Sequence, residues 1–333
     1  MTDRPIAALA VDPAVADLVL PADLRERLSR SVRLAPTSLT GPPGDPAVRA
    51  TLAETEILLS GWGCPRLTAG LLALAPRLRA VVHAAGSVKP VVSDALWERG
   101  IVVSSAADAN AGPVVAFTLA AITFGAKRTL SAAAGYGSGW PSTQERAGAD
   151  GRTVGIVGAS RIGRRVIAAL RASDAGYRLL LTDPYVTDAE AAALGVERVD
   201  LAELCRGSSV VSVHAPQLPE TEGMVSAEML ALIPDGGSVV NTARGALVDN
   251  EALARECASG RLDAYLDVTH PEPLPAGHPL LALPNVLVTP HIAGAQGSEV
   301  RRLGAYAVAE VERYFAGEPL RGGLGKADMP RLA

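Results

Sequence analysis

Aromatic residues, cysteine and excess charge of either sign are all scarce in this 333-residue chain. Aromatic side chains make up 4% of the residues, there are three cysteines, and the formal net charge at pH 7 is −4. A mildly acidic chain has no general electrostatic attraction for nucleic acid or for an anionic membrane, so we expect neither as a partner. Any anionic ligand must therefore be held by local cations and backbone N–H groups.

The three cysteines, Cys64, Cys205 and Cys257, are an odd number without the spacing of a metal site. We expect reduced thiols, a cytoplasmic protein and no bound metal. The opening MTDRPIAALAVDP lacks a long apolar segment before a small-residue cleavage site, and no apolar run reaches the roughly 18 residues of a membrane span. Neither a secretory leader nor a membrane helix is expected.

Apolar residues are abundant, and their pattern alternates between strands and helices. They make up 48% of the chain, enough for two cores at this length. Short apolar runs at 6–11, 56–60, 79–85 and 101–105 are typical of strands, with helical patterns between them. After a long apolar helix predicted from about 110, a second such series begins near 153. This alternation predicts α/β architecture with two doubly wound parallel-sheet domains.

The segment TVGIVGASRIGRRV, which begins at residue 153, reads as strand, glycine-rich turn and helix. Gly158 and Gly163 match the outer glycines of the dinucleotide-binding fingerprint G-x-G-x-x-G, while Ser160 replaces the middle one. A serine there crowds a phosphate slightly, but its hydroxyl can donate to a phosphate oxygen, and the helix N-terminus still attracts anions. We interpret the loop, including Arg161 and Ile162, as a cofactor site.

An acidic residue ends the next predicted strand, YRLLLTD. Asp183 lies about 20 residues after Gly163, where the carboxylate that binds the adenosine ribose is expected. A carboxylate accepts hydrogen bonds from the 2′-hydroxyl and repels a 2′-phosphate, so Asp183 predicts NAD as the cofactor in preference to NADP.

Three further motifs end predicted strands: VVNTARGALVD, LDVTHPEPLP and VTPHIAG. Arg244 offers a guanidinium fork for a carboxylate, and His291 can exchange a proton near neutral pH. Glu272 can hold the other imidazole nitrogen and favour the charged ring. Since open α/β sheets bind ligands at the carboxyl ends of their strands, these three residues favour chemistry on a 2-oxo or 2-hydroxy acid.

These motifs, together with VGIVGASRIG and VHAPQLPET, occur in the order found in the D-isomer-specific 2-hydroxyacid dehydrogenases, which the sequence resembles from about residue 56 to 316. The resemblance implies that Arg244, Glu272 and His291 are the catalytic residues. It also implies that Asp267 binds the nicotinamide carboxamide. Further cofactor contacts are implied for His214, Ala215, Pro216, Thr242 and Ala243.

The same resemblance implies a Rossmann NAD-binding domain, residues 108–295, inserted in a flavodoxin-like substrate domain of residues 1–107 and 296–333. The active site would lie in the cleft between the two domains. The substrate carboxylate would meet a loop whose successive N–H groups can form an anion nest, and that loop consists of Ala85, Gly86, Ser87 and Val88.

Two residues near the implied substrate domain depart from the commoner family pattern: Lys89 stands where many members have aspartate, and Ala116 where many have glutamate. Lys89 either attracts a second anionic group on the substrate or points to solvent. These departures put the identity of the substrate in question more than the type of reaction.

The sequence therefore predicts an NAD-dependent oxidoreductase that interconverts a small 2-oxo acid and its D-2-hydroxy acid, and that forms a homodimer through its NAD-binding domain. Two alternatives stay open. One is a formate- or phosphite-type dehydrogenase, although formate relatives carry glutamine where this chain has Glu272. The other is an NAD(H)-sensing corepressor-like binding protein on the same fold.

Overall fold

The computed structural model describes residues 4–139, 142–144 and 146–332. The strands are β1 (Ile6–Ala10), β2 (Arg33–Leu34), β3 (Ile57–Ser60), β4 (Ala80–His83), β5 (Val102–Ser105), β6 (Thr153–Val157), β7 (Arg178–Thr182), β8 (Glu197–Arg198), β9 (Val210–Val213), β10 (Gly237–Asn241), β11 (Leu262–Leu266), β12 (Val286–Val288) and β13 (Gly323–Leu324). The longer strands confirm the predicted alternation. The two-residue strands β2, β8 and β13 were not predicted, because they are too short to leave a periodic signal.

The α-helices are α1 (Pro13–Val19), α2 (Ala22–Ser29), α3 (Pro46–Glu54), α4 (Ala69–Ala73), α5 (Asp94–Glu98), α6 (Ala107–Ala126), α7 (Thr129–Ala134), α8 (Arg161–Arg171), α9 (Asp188–Leu194), α10 (Leu201–Gly207), α11 (Ala227–Leu232), α12 (Asn250–Ala258) and α13 (Val300–Ala316). Short 3-10 helices cover Tyr136–Ser138, Gly245–Leu247, Pro279–Leu281, Gly297–Glu299 and Lys326–Arg331.

The chain forms two compact units. The first contains residues up to Gly112 together with Ala295–Leu332, and the second contains Pro113–Gly294. The boundary falls within α6, which the sequence predicted as one long helix. The structure differs from that prediction, because Arg128 adopts a left-handed conformation (φ 52°) and separates α6 from α7.

The first unit has a six-stranded sheet in the order β13-β5-β4-β3-β1-β2. Its five parallel strands follow the flavodoxin-like order, and β13 joins the edge antiparallel to β5. Alternate residues of β1 belong to different buried clusters: Ala7 and Leu9 face one side of the sheet, and Ala8 and Ala10 face the other. Both faces of this sheet are therefore covered, as the continuous apolar runs predicted.

The C-terminal helix α13 packs on the first sheet and thereby joins the two ends of the chain in one unit. Its residues Val300, Ala307 and Val308 lie in the same buried cluster as β1 and β3. Gly304 lets α13 approach α1 closely, since a Cβ at that position would lie 1.6 Å from the Val19 carbonyl oxygen.

The second unit has a seven-stranded sheet in the order β12-β11-β10-β9-β6-β7-β8. Counted from β6, this is the Rossmann order 3-2-1-4-5-6 with one further strand beside the sixth. The order reverses between β6 and β9, and the carboxyl ends of strands at such a switch point are where these sheets bind ligands. The fold class predicted from the sequence is confirmed.

One helix departs from the expectation about membrane spans. By length and composition, α6 is apolar enough to cross a membrane, with a mean hydropathy of 1.4 in its most apolar window. This is weak evidence, because the core helix of a soluble protein passes the same test, and Ala111, Ile122 and Ala126 of α6 are buried.

Candidate active site

The glycine-rich turn between β6 and α8 can be made only by glycine at its two ends. Gly158 has a φ of +96°, and a Cβ there would lie 2.7 Å from the Cα and N atoms of Ala215. A Cβ on Gly163 would lie 2.1 Å from the Gly158 carbonyl oxygen. The close approach of strand, turn and helix therefore depends on the two glycines that the sequence retains.

The middle position of the turn does not require glycine. Ser160 has φ −62° and ψ 180°, which any residue can adopt, and it is the N-cap of α8. Its Oγ accepts a hydrogen bond from the Gly163 N–H at 3.3 Å. The serine therefore stabilises the helix start and keeps its own hydroxyl proton for a further acceptor. Arg161 and Ile162 form the first turn, whose backbone N–H groups give the helix end its positive character.

Asp183, just after β7, is bonded to the glycine-rich turn. Its two carboxylate oxygens accept hydrogen bonds from the N–H groups of Ala159 at 2.7 Å and Tyr185 at 2.8 Å. A carboxylate offers about four acceptor positions, so further hydrogen bonds remain available to a ribose. The structure thus brings Asp183 and the turn together, while its binding of a ribose stays a prediction.

His214, which follows β9, is buried against this turn. A Cβ on Gly163 would lie 3.3 Å from the His214 Cβ. The ring Nε2 is 2.8 Å from the Ser212 Oγ, while Nδ1 has no hydrogen-bond partner among the described residues. Burial lowers the pKa of His214 to about 3, so the ring is neutral. Ala215 is buried as well, and Pro216 is half-buried.

Asn241, the last residue of β10, shapes the turn that carries Thr242, Ala243 and Arg244. Its Oδ1 accepts from the Ala243 N–H at 3.0 Å, and its Nδ2 donates to the Arg244 carbonyl oxygen at 2.9 Å. The Thr242 Oγ1 lies 2.8 Å from the Thr118 Oγ1. Asn241 was not among the predicted site residues, although its place in NTARG at a strand end was a usable signal.

Gly245 allows the Arg244 turn to contact the segment that leads to Glu272. A Cβ at Gly245 would lie 1.9 Å from the carbonyl carbon and oxygen of Thr269. The Arg244 guanidinium donates to the Ala243 carbonyl oxygen at 2.6 Å. Burial lowers the pKa of Arg244, and the charge of nearby Glu272 opposes that shift. Arg244 is thus electrostatically coupled to Glu272 without a hydrogen bond to it.

Glu272 and His291 form a direct pair. The Glu272 Oε1 lies 2.6 Å from the His291 Nδ1, and both side chains are about half exposed. This bond fixes the ring orientation and leaves Nε2 as the nitrogen that faces any reacting group. His291 has a φ of 55°, an uncommon conformation for a residue other than glycine.

Asp267, buried just after β11, holds the loop that carries His291. Its Oδ1 accepts from the Thr289 Oγ1 at 2.6 Å and the Ile292 N–H at 2.8 Å, and its Oδ2 accepts from the Ala293 N–H at 2.8 Å. The His291 N–H donates to the Asp267 carbonyl oxygen at 2.9 Å. These bonds join Asp267 to the loop after β12, and the nicotinamide contact that the resemblance implies for it stays a prediction.

The implied carboxylate loop belongs to the first unit and follows β4. Ala85 and Val88 are buried, while Gly86 and Ser87 are half exposed. Lys89 is half-buried and Ala116 is exposed. Across the described ranges, no group of three or more His, Cys, Asp or Glu side chains is arranged to hold a metal ion.

The strand order and the glycine-rich turn define the second unit as a dinucleotide-binding domain. Residues 120–293 match the family model described as D-isomer specific 2-hydroxyacid dehydrogenase, NAD binding domain. The chain belongs to the D-isomer-specific 2-hydroxyacid dehydrogenase family, and its cofactor is NAD.

Two proteins that are similar in sequence and one that is similar in structure support this family assignment. The D-3-phosphoglycerate dehydrogenase of Mycobacterium leprae is 35% identical over 81% of this chain and 51% of its own length. The glyoxylate reductase of Korarchaeum cryptofilum is 33% identical over 81% of this chain and 82% of its own. The chain spans about half the length of the phosphoglycerate dehydrogenases it matches. The apo D-mandelate dehydrogenase of Rhodotorula graminis is similar in structure, with a TM-score of 0.79, 26% identity and coverage of 97% and 98% of the two chains.

The residues of the second unit fit an NAD molecule. Gly158 and Gly163 let the turn lie close against Ala215 and the start of α8, where a Cβ at either position would clash with protein atoms. The unpartnered Nδ1 of His214 is a buried polar atom beside that turn. A backbone cradle of this kind suits a pyrophosphate.

Proposed function

We propose that this protein is an NAD-dependent dehydrogenase that interconverts a small 2-oxo acid and its D-2-hydroxy acid. The observation that carries the proposal is the 2.6 Å pair of Glu272 and His291. It lies in the NAD-binding unit, at the carboxyl ends of the strands, with the coupled Arg244 nearby in the fold. Reduction of a 2-oxo acid needs a proton donor for the carbonyl oxygen and a nearby cation that stabilises the developing charge.

Each of the three residues has a distinct role in this proposal. Arg244 binds the substrate carboxylate through its guanidinium fork and polarises the adjacent carbonyl group. His291 gives a proton from Nε2 to the carbonyl oxygen as that oxygen becomes a hydroxyl. Glu272 keeps the ring oriented and stabilises the positive charge that the ring carries before transfer. In the oxidative direction His291 accepts the same proton.

When NADH is bound, it supplies the hydride that the carbonyl carbon receives. We propose that its pyrophosphate is held by the turn from Gly158 to Gly163, with Ser160, Arg161 and Ile162 at the helix start. Asp183 is proposed to bind the adenosine ribose. The nicotinamide side is assigned to the remaining predicted contacts, which are His214, Ala215, Pro216, Thr242, Ala243 and Asp267.

The proposed substrate is a small anion whose carboxylate meets the loop of Ala85, Gly86, Ser87 and Val88 in the first unit. Residues 1–107 and 296–333 are the proposed substrate domain, and residues 108–295 the proposed cofactor domain. The names of the relatives, D-3-phosphoglycerate dehydrogenase and glyoxylate reductase, both concern 2-hydroxy or 2-oxo acids and support this class.

A substrate panel tests the reaction. NADH oxidation is measured with glyoxylate, hydroxypyruvate, pyruvate, phosphohydroxypyruvate and bulkier 2-oxo acids, and NAD reduction with formate and phosphite. We expect turnover with at least one 2-oxo acid and none with formate or phosphite. NADH binding without turnover of any compound would contradict the proposal in favour of an NAD(H)-sensing protein.

A matched pair of histidine variants tests the proton donor. His291→Ala should lower kcat by about 100-fold or more, because general acid catalysis contributes at least that much, while NADH affinity stays unchanged. His270→Ala is the control, since His270 is an exposed neighbour of Glu272 in sequence and is not part of the pair. Near-normal kcat in His291→Ala combined with a large loss in His270→Ala would show that the donor has been misassigned.

Glu272→Gln tests the pairing. Glutamine keeps a hydrogen bond but removes the charge that favours imidazolium, so the high-pH limit of 2-oxo acid reduction should move to lower pH. A pH–rate profile identical to that of the wild type would show that Glu272 does not act through His291.

We also propose a cytoplasmic homodimer that associates through the NAD-binding unit. Large apolar side chains of that unit, including Phe124, Leu281 and Leu287, are exposed and available for contact. The cysteines are free, which suits a reducing compartment. Light scattering after gel filtration tests the oligomer, and a monomer at micromolar concentration would contradict it.

A further inference from the structure

Ser105, the last residue of β5, is buried beneath the proposed carboxylate loop of the first unit. Its Oγ donates to the Gly86 carbonyl oxygen at 2.5 Å and lies 3.3 Å from the Ala85 carbonyl oxygen. The same Oγ accepts from the Ala107 N–H at 3.1 Å. Because that N–H occupies one lone pair, the hydroxyl proton is directed to the loop, and Ser105 is a fixed donor to it.

The bond to Gly86 determines where the next N–H group points. In a planar trans peptide the carbonyl oxygen and the following N–H point in opposite directions. The Gly86 oxygen points inward to Ser105, so the Ser87 N–H points outward. Gly86 and Ser87 are half exposed, and no acceptor for the Ser87 N–H lies among the described residues. The weaker contact at Ala85 turns the Gly86 N–H in the same sense.

A second buried side chain supports the same part of the loop. His83, the last residue of β4, has its Nδ1 3.0 Å from the Ser60 Oγ. Its ring also hydrogen-bonds the Ser87 backbone, and because this bond raises the pKa of His83, the Ser87 group is the carbonyl oxygen and not the N–H. Burial lowers the pKa of His83 to about 4, against a smaller opposing effect of the Ser87 backbone. The ring therefore stays neutral in the physiological range, and the loop is supported from beneath at two successive peptides.

We propose that Ser105 is a positioning residue for substrate: its hydroxyl orients the peptide between Gly86 and Ser87 so that outward N–H groups bind the carboxylate of the 2-oxo acid. This rests on the proposed function. It adds to that function a residue outside the loop, whose side chain never touches the substrate. Neither Arg244 nor any other cation can replace this contribution, because it acts through the direction of backbone groups.

The test compares two buried serines of the same strand. Ser105→Ala removes the bond to the loop. Ser104→Ala is the matched control, because the Ser104 Oγ also donates at 2.5 Å, but to the Glu310 carboxylate on α13. The probe is glyoxylate, or whichever 2-oxo acid of the panel is turned over best, with separate measurements of kcat, KM for the 2-oxo acid, KM for NADH and melting temperature.

We expect Ser105→Ala to raise KM for the 2-oxo acid by about tenfold, the size expected for one misaligned hydrogen bond. Its kcat and KM for NADH should stay within about twofold of the wild type, since the carboxylate contact is the same in ground and transition states. Ser104→Ala should lower the melting temperature without raising this KM. Ser105→Thr, which keeps the hydroxyl, should restore the KM.

An unchanged KM in Ser105→Ala, or an equal rise in Ser104→Ala, would overturn the inference. If Ser105→Ala does not fold, Ser105→Cys takes its place, because a thiol of similar size is a weak donor, and an unchanged KM again counts against it. A wild-type enzyme that reduces no 2-oxo acid would instead refute the proposed function, so the two failures are distinct.

Discussion

Asp267→Asn is the substitution whose consequences can be worked out furthest from the structure. The carboxylate accepts two hydrogen bonds at Oδ1 and one at Oδ2, all from the loop around His291. Asparagine has one acceptor and one donor end. With its oxygen at the Oδ1 position it keeps two bonds, but its NH2 group then faces the Ala293 N–H. The opposite orientation places the NH2 group against two donors and is worse.

The size of the effect follows from the lost bond and the conflict between donors. A hydrogen bond to a charged group contributes about 1.5–3 kcal/mol, and a buried donor left without an acceptor costs about 1–3 kcal/mol. Together these terms lower the free energy of unfolding by roughly 2.5–6 kcal/mol. For a unit of this size each kcal/mol lowers the melting temperature by about 2–4 °C.

The functional consequence is a displaced proton donor. Asp267 holds the loop on both sides of His291, whose φ is 55°. A shift of about 1 Å in a catalytic group lowers the rate by up to about 100-fold. We therefore expect a lower kcat in 2-oxo acid reduction together with the lower melting temperature.

Asp263→Asn is the matched control. Asp263 lies on β11, the strand that Asp267 follows, and is equally buried, but only its Oδ1 has a partner, the Ser131 Oγ at 2.5 Å. Its Oδ2 has none among the described residues, so an NH2 group there meets no opposing donor. Wild-type kcat and melting temperature in Asp267→Asn would refute the reasoning. A raised KM for NADH with an unchanged melting temperature would show that Asp267 acts on the cofactor alone and not by holding the His291 loop.

Three further outcomes follow from the cofactor site. Ser160→Gly should change NADH affinity by only several-fold, and it should lower the free energy of unfolding by about 1 kcal/mol through the lost N-cap. Ser160→Glu should abolish NADH binding in an equilibrium titration. Unchanged binding in Ser160→Glu would place the cofactor elsewhere. Asp183→Ser should narrow the preference for NADH over NADPH, because the carboxylate repels a 2′-phosphate; a wild-type enzyme with equal kcat/KM for both cofactors would contradict this. The pKa of His214 is lowered to about 3 by burial, so the unfolded chain takes up a proton first as the pH falls below about 6.5, and stability is lost by about 1.4 kcal/mol per pH unit until the folded ring titrates. His214→Gln should flatten the dependence of urea unfolding on pH between about 6 and 4, and a slope equal to that of the wild type would show that His214 does not contribute.

The strand–turn–helix at Gly158 shows what a short stretch of sequence can decide. An apolar run, two glycines at the required spacing and an amphipathic helix are all local signals, and they predicted the cofactor site and the parallel sheet. The same stretch did not reveal that Ser160 is an N-cap. Serine is tolerated at the middle position because the backbone φ there is −62°, a value set by the conformation of the turn.

The sequence by itself also placed Arg244, Glu272 and His291 at three strand ends, while their roles stay predictions. That Glu272 reaches His291 depended on the two loops meeting in the fold, because 19 residues separate them in the chain. The break at Arg128 and the short edge strands were decided by neighbouring elements, since no periodic pattern marks them.

What only the tertiary structure decided is the support beneath the candidate sites. Ser105 and the loop it contacts are 19 residues apart, and Asp267 and the residues it holds are 22 to 26 apart. A buried serine or aspartate at a strand end has the same local sequence signal whether it caps a helix, packs in the core or positions another group. The strand order of the sheet brings distant chain segments together and thereby determines the partner of such a side chain. A hydrogen bond between residues about 20 positions apart leaves no periodic pattern in the sequence.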